Sequence, residues 1–249
     1  MIVNMYDEFA NLYDGLMSDF DYENWFNYLE SIFYKYHKKP KRVLEMACGT
    51  GNLSHFFAEK GYKLTCFDLS EEMLSIAYKK LNRFKNVKLF RQNMIDFKFK
   101  DKFEAIVSIC DSINYITDDN DLLGTFKNVY DHLEDGGIFT FDINSYYKLK
   151  NIIGNNTFIE DREDIFYTWQ NFYEEETNIC NFYLSFFYSE DGENFRRFDE
   201  EHRERAYKIQ EIVKLLNQVG FSRIDIYEAF TFNSPNDETE RINFIALKE

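Results

Sequence analysis

Val43-Leu44-Glu45-Met46-Ala47-Cys48-Gly49-Thr50-Gly51-Asn52-Leu53 is the stretch that decides the fold. An apolar, strand-like run enters two closely spaced glycines and leaves as a helix-like pattern. Gly49 and Gly51 allow the backbone to turn sharply and to approach a ligand closely. Ligands of open α/β sheets sit at the carboxyl ends of the strands, so this turn is the expected cradle.

Outward from that turn the chain alternates between strand and helix. Residues 43–47 read as a first strand, and a helix over 52–60 ends at Gly61, a usual capping glycine. Residues 63–69 read as a second strand. Ser70 caps the next helix, with Glu71 and Glu72 in its first turn, where the helix dipole favours anions. Strands follow at 87–92 and 105–110, then a helix at 119–133. Gly136-Gly137 closes that unit before a strand at 138–143. After an interruption, Ile212, Leu215, Leu216 and Val219 mark a helix ending at Gly220, with strands at 223–230 and 243–248. The expected fold is α/β: a Rossmann-like, seven-stranded, mostly parallel sheet with helices on both faces. Residues 155–205 break the rhythm. Ile165, Tyr167 and Trp169 alternate with Phe166, Thr168 and Gln170, and a second run at 179–188 reaches Asp191-Gly192, a hairpin dipeptide. The expected domains are a helical cap over 1–37, a core over 38–154 and 206–249, and an inserted antiparallel β segment over 155–205.

Composition narrows the function. The chain has 249 residues with a formal net charge of −15. Nucleic-acid binders present Lys/Arg clusters that release counterions, and the one basic run here, residues 37–42, reads as a solvated loop. Nucleic acid is therefore not the expected partner. The 27 Phe and 18 Tyr speak against disorder. Cys48, Cys66, Cys110 and Cys180 form no CxxC pair, and the four histidines do not cluster, so reduced thiols and no metal are expected. The N-terminus lacks the basic start and apolar run of a signal peptide, and no apolar stretch is long enough to span a bilayer. A cytoplasmic protein with no membrane partner is expected.

Asp68 ends the second strand. A carboxylate there can accept hydrogen bonds from both ribose hydroxyls; the alternative is a helix-start aspartate ahead of Ser70. A dinucleotide fingerprint wants a third glycine where Ser54 stands. Glu45, just before the glycines, would repel a pyrophosphate. An acidic loop suits S-adenosylmethionine (SAM), which carries a sulfonium and an amino group and no phosphate.

Residues 45–51 resemble the first motif of class I SAM-dependent methyltransferases, with Ala47 replacing that motif's first glycine. The resemblance covers about residues 40–145 and 206–249. It implies SAM as cofactor, with Tyr13, Glu45, Ala47, Gly49, Gly51, Asp68, Leu69, Asn93, Met94 and Cys110 at its site. Tyr6-Asp7 and Tyr13-Asp14, followed by Trp25, resemble the N-terminal cap of small-molecule methyltransferases, including amino-sugar N,N-dimethyltransferases and glycine N-methyltransferase. A Tyr ring near the sulfonium would gain about 0.5–2 kcal/mol.

The implied reaction is in-line transfer of a methyl group to N or O of a small-molecule acceptor. Asp111 and Asn114, past the fourth strand, and His202, in the charged run that closes the insertion, are the catalytic candidates. Ser112, Tyr115, Asp142 and Asn144 share that edge. Arg205 could pair with an anionic acceptor or with surrounding glutamates. A SAM-binding protein without catalysis and an NAD-dependent oxidoreductase are the alternatives. The aromatic insertion could supply the face of a homodimer.

Overall fold

The central strands owe their continuous burial to side chains that alternate between two separate cores. In β1 (Arg42–Met46), Val43 packs toward one face of the sheet while Leu44 and Met46 pack toward the other. In β4 (Phe103–Ser108), Ala105 and Val107 join Val43, and Ile106 joins Leu44. Strands covered on both faces need no polar alternation, which is why they read as apolar runs. The computed structural model describes residues 13–17, 20–162, 165–189 and 193–249.

The remaining strands of the main sheet are β2 (Lys63–Asp68), β3 (Val87–Arg91), β5 (Leu133–Asn144), β10 (Arg223–Glu228) and β11 (Arg241–Leu247). Their order is β10-β11-β5-β4-β1-β2-β3. β1 to β5 run parallel, whereas β11 is antiparallel to both β5 and β10. The parallel register brings the carboxyl ends of β1, β2, β3 and β4 to one edge.

Helix α1 (Tyr22–Lys35) is capped by Asp21, which accepts from the Asn24 amide at 2.8 Å, and it buries Trp25, Phe26, Leu29, Ile32 and Phe33. It shares one face of the sheet with α2 (Asn52–Glu59). α3 (Glu71–Leu81) starts on Ser70, whose Oγ accepts from Met73 N at 3.1 Å, as the sequence indicates. α4 (Asp119–His132) and α5 (Ile209–Val219) cover the opposite face, and α5 ends at Gly220 with φ +115°. None of the described helices is long and apolar enough to cross a membrane.

The inserted segment is a four-stranded antiparallel sheet, β6 (Thr157–Arg162), β7 (Ile165–Glu174), β8 (Ile179–Tyr188) and β9 (Arg196–Arg205). β9 pairs with β8 along its whole length although its sequence is a run of charges, a pattern suited to a sheet edge. The Asp191-Gly192 turn lies outside the described residues. Tyr173, Cys180 and Phe182 seat the insert on Leu149 and Ile153 of a π-helical turn, Lys148–Ile153.

Several strand boundaries shift by two or so residues, and that of β5 differs most from the sequence reading. β5 begins at Leu133, so Gly136-Gly137 lies inside the strand instead of ending the helical unit. Leu133 already pairs with Phe103, and a register shift follows; Gly136 takes φ +78° and donates its amide to Lys248 O at 2.7 Å. The glycines absorb an irregularity in a continuing strand.

Gly51 shows why the turn after β1 needs a glycine. It has φ +79°, and a Cβ there would lie 2.9 Å from Leu81 Cδ1 and 3.2 Å from Ala77 Cβ. Gly51→Ala should lower stability by about 1–3 kcal/mol through backbone strain and overpacking against α3. An unchanged urea midpoint would show that α2 and α3 do not need this close approach.

Candidate active site

The site forms where the β1, β2 and β4 ends meet. Past Met46 the chain takes left-handed conformations at Ala47 (φ +51°), Gly49 (φ +53°) and Gly51 (φ +79°). Ala47 adopts this shape despite its Cβ, at a cost of about 1–2 kcal/mol. The loop is tied on both sides: Cys48 N donates to Phe67 O at 3.0 Å, and Gly51 N to Cys48 O at 2.9 Å. Among the described residues a Cβ on Gly49 would meet no atom within 4 Å, so space adjoins this residue, whereas Gly51 faces helix packing.

Gly49 N donates to Asp68 Oδ2 at 2.8 Å, and Ser70 N donates to Asp68 Oδ1 at 2.9 Å. Asp68 thus joins the two strand tips and holds the backbone at Ser70, the residue that caps the next helix. Its two oxygens keep acceptor capacity beyond these bonds. Burial raises its pKa, against the pull of the backbone amides. Beside it Leu69 is 60% exposed, an unusual state for a leucine at a strand end. Gln92 N donates to Asp68 O at 3.0 Å, which brings Asn93 and the partly buried Met94 to the same edge.

Glu45 lies under the loop. It is 2% exposed, and Ser54 Oγ donates to its Oε2 at 2.6 Å. Burial pushes its carboxyl up to about 8, so near neutral pH it is mostly uncharged. The expected repulsion of a pyrophosphate by Glu45 therefore does not operate at neutral pH. Ser54, standing where the dinucleotide fingerprint has a glycine, is the partner that holds Glu45 inside.

The N-terminal segment reaches this loop through Asp14. Asp14 Oδ1 accepts from Thr50 Oγ1 at 2.7 Å and Asn52 Nδ2 at 3.0 Å, and Lys80 Nζ lies 2.6 Å from Oδ2. Burial opposes the charge on Asp14, but Lys80, Thr50 and Asn52 outweigh it and lower the pKa. Next to it, burial raises the Tyr13 phenol well above its usual value, with Tyr22, Cys110 and Asp111 contributing. Tyr13 is thus near Tyr22 of α1 and near Cys110 and Asp111 past β4. Tyr6 and Asp7 lie outside the described residues.

Past β4 the backbone is left-handed at two successive non-glycine residues, Cys110 (φ +58°) and Asp111 (φ +52°). Asp111 N donates to Asp142 Oδ2 at 3.1 Å. The Asp111 carboxylate is ion-paired, its Oδ1 lying 2.8 Å from Arg241 Nη1. Arg241 also bonds Asp142, and its Nη2 donates to Asn144 Oδ1 at 3.3 Å. Burial raises Asp142 to about 6 even with Arg241 opposing the shift. Asn114 is wholly buried; its Nδ2 donates to Asn144 O (3.1 Å) and Arg205 O (2.9 Å), and its Oδ1 accepts from Asn144 N (3.0 Å). These bonds direct its amide to the backbone of β5 and β9, not to the cleft.

His202, on β9, packs its ring edge-on against Tyr115 with centroids 5.8 Å apart. Burial lowers its pKa, leaving a neutral imidazole near pH 7. Arg205 is held by Asp119 (2.9 Å) and Glu211 (3.6 Å), not by the neighbouring glutamates of its own strand. Among the described residues no group of three or more His, Cys, Asp or Glu could hold a metal ion. Sequence reasoning did not single out Arg241, the buried Glu204 that accepts from Asn144 Nδ2 at 2.9 Å, or Asp14 as a loop ligand. Arg241 follows Glu238-Thr239-Glu240 in a run that reads as surface, and no local signal marks it.

A methyltransferase-domain family model matches residues 43–137. YqeM of Bacillus subtilis (strain 168), a protein carrying a methyltransferase name, is 37% identical over 98% of this chain and 97% of its own length. The crystal structure of an S-adenosylmethionine-dependent methyltransferase from Clostridium acetobutylicum ATCC 824 superposes with a TM-score of 0.87. It is 39% identical and covers 98% of this chain and 99% of its own. The chain belongs to the class I SAM-dependent methyltransferases. A shorter match, 37% identity over 39% of each chain, is to the Streptomyces venezuelae enzyme named dTDP-3-amino-3,4,6-trideoxy-alpha-D-glucopyranose N,N-dimethyltransferase.

The raised Glu45 has a thermodynamic signature. Between its ordinary 4.5 and about 8, the folded chain keeps a proton that the unfolded chain has lost. Stability therefore falls as pH rises through that window. Glu45→Gln should remove this term, flattening the profile from pH 5 to 8 by an amount on the order of a few kcal/mol. Thermal melts of both proteins across that range test it, and parallel profiles would mean that Glu45 is ionised in the fold.

Proposed function

We propose that this methyltransferase holds SAM across the β1 and β2 tips and passes its methyl group to a small amine or hydroxyl acceptor lodged between the β4 loop and the inserted sheet. The observation that carries this reading is the Gly49–Asp68 bond, with space beside Gly49 among the described residues. It sets a backbone cradle and a carboxylate at one cleft edge, the pairing a ribose-bearing ligand needs. In this reading Asp68 takes the ribose hydroxyls, and Leu69, Asn93 and Met94 flank the base. Ala47 and Gly49 give the cradle, and Gly51 and Glu45 support it from below. Tyr13 and Cys110 lie toward the sulfonium.

SAM supplies a methyl group on a good leaving group, so the chain's own task is placement. Holding the reactants in line contributes up to about 7–11 kcal/mol in favourable cases. Strands β7 to β9 carry a shared face over the β4 loop that includes Tyr167, Trp169, Phe182, His202 and Glu204. His202, kept neutral by burial, is the proposed proton acceptor for the nucleophile. Asp111 and Asn114 are assigned to shaping the wall, because ion pairing and backbone bonds already engage their side chains. The amine preference rests on the partial match to an amino-sugar N-methyltransferase. The net charge of −15 favours small acceptors over nucleic acid.

Calorimetric titration with SAM tests the cofactor site. Asp68→Asn should weaken binding about tenfold or more, since charge-assisted hydrogen bonds are the stronger kind. A folded variant with native affinity would remove Asp68 from the site. His202→Gln should leave SAM affinity unchanged and reduce turnover by about 10²-fold on whichever member of an amine and amino-sugar panel is methylated. Full turnover in that variant would exclude His202 as the base.

A further inference from the structure

Two carboxylates and two strained residues meet behind the β4 loop, and one cation from the far end of the chain holds them. Arg241 sits on β11 directly opposite Asn144 of β5. Its guanidinium reaches Asp111 Oδ1 at 2.8 Å, Asn144 Oδ1 at 3.3 Å and the wholly buried Asp142. Asp142 Oδ2 in turn receives Asp111 N at 3.1 Å. The chain Arg241–Asp142–Asp111 thus ends on the backbone of a residue with φ +52°, next to Cys110 with φ +58°.

We propose that Arg241 is a positioning residue for methyl transfer: its fork on Asp111, Asp142 and Asn144 holds the Cys110–Asp111 turn in the shape that walls the reaction site. This rests on the reading that the β4 loop faces the transferred methyl group.

Left-handed backbone at a non-glycine residue costs about 1–2 kcal/mol, so two in succession persist only where the surroundings impose them. Here the imposing groups are the Asp111 amide bond to Asp142 and the ion pair of the Asp111 side chain. Arg241 makes the ion pair itself and binds the same Asp142 oxygen that accepts the amide. Without it, Asp111 and Asp142 confront each other as like charges, with Glu204 also near Asp111. Lys148 is near the same cluster, but its ammonium is no substitute, because the structure gives it no bond to Asp111 or Asp142 and burial lowers its pKa. A lysine at 241 is a point charge on a flexible stem and cannot reproduce a planar fork that addresses three side chains.

Cys110 reports on the turn. Its thiol is held well above the usual value by burial, with Asp142 and Asp111 adding to the shift and Arg241 opposing it, so loss of Arg241 raises it further and only exposure of the turn can speed its alkylation. Cys66, inside β2, and Cys180, in β8, are buried within strands and serve as internal controls, whereas Cys48, in the loop past β1, shares a cluster with Cys110 and is not used as one. The experiment is iodoacetamide alkylation of the full-length protein, with and without SAM, read cysteine by cysteine by mass spectrometry. It compares wild type, Arg241→Gln, Arg241→Lys and Arg241→Ala, the last also with added guanidinium. Arg241→Gln and Arg241→Lys should alkylate Cys110 about tenfold faster than wild type while Cys66 and Cys180 keep their rates. Guanidinium should slow the reaction again in Arg241→Ala. A wild-type Cys110 rate in either substitution, or equal acceleration at Cys110, Cys66 and Cys180, would overturn the proposal, the latter by showing general destabilisation. SAM should protect Cys110 in the wild type. Failure of that protection, together with native SAM affinity in Asp68→Asn, would instead sink the site reading itself.

Discussion

A hydrogen bond between a backbone amide and a carboxylate, Gly49 N to Asp68 Oδ2, joins the tips of the first two strands, and the site is organised around it. The parallel ladder has brought these residues together: Glu45 pairs with Cys66 and Met46 with Phe67, so the β1 turn emerges beside the end of β2. The left-handed residues on either side follow from the need to present one amide to that carboxylate while the next turn starts a helix. Asp14 then docks the N-terminal segment on the far side of the same loop through Thr50 and Asn52.

Buried charge is treated in two ways around this centre. Glu45 is isolated, with Ser54 as its close donor, and burial favours its neutral form. Asp142 is equally buried but is matched by Arg241, which offsets part of the desolvation and keeps the carboxylate closer to ionisation. The physical rule is the same in both cases: a carboxylate removed from water either takes up a proton or takes a cation. One outcome gives a quiet support beneath the loop proposed to hold the cofactor, and the other gives a charged clamp behind the loop proposed to face the acceptor.

The inserted sheet is docked on the main domain at two places. Its docking uses apolar contacts at one end, Tyr173, Cys180 and Phe182 on Leu149 and Ile153, and polar stitching through Asn114 and Glu204 near the main sheet. Asn114 is thereby a joint between β5, β9 and the β4 loop. Its amide could not serve a ligand without giving up bonds that fix all three. This is why a residue adjacent in sequence to site positions is engaged in holding the site together.

Local chemistry made much of the molecule legible in advance. Apolar runs bounded by glycines marked the strands, and Ser70 with its acidic neighbours marked a helix start. The glycine turn after the first strand and the acid ending the second were visible too, because these features depend on residues close together in the chain. The β9 strand was harder to see, since an edge strand of alternating charges has no apolar period. The direction in which Glu45 points, the joint at Asn114 and the reach of Arg241 to Asp111 and Asp142 belonged to tertiary structure alone. Each depends on burial or on partners contributed by separate strands, and neither desolvation nor a long-range ion pair is written in any short stretch of sequence.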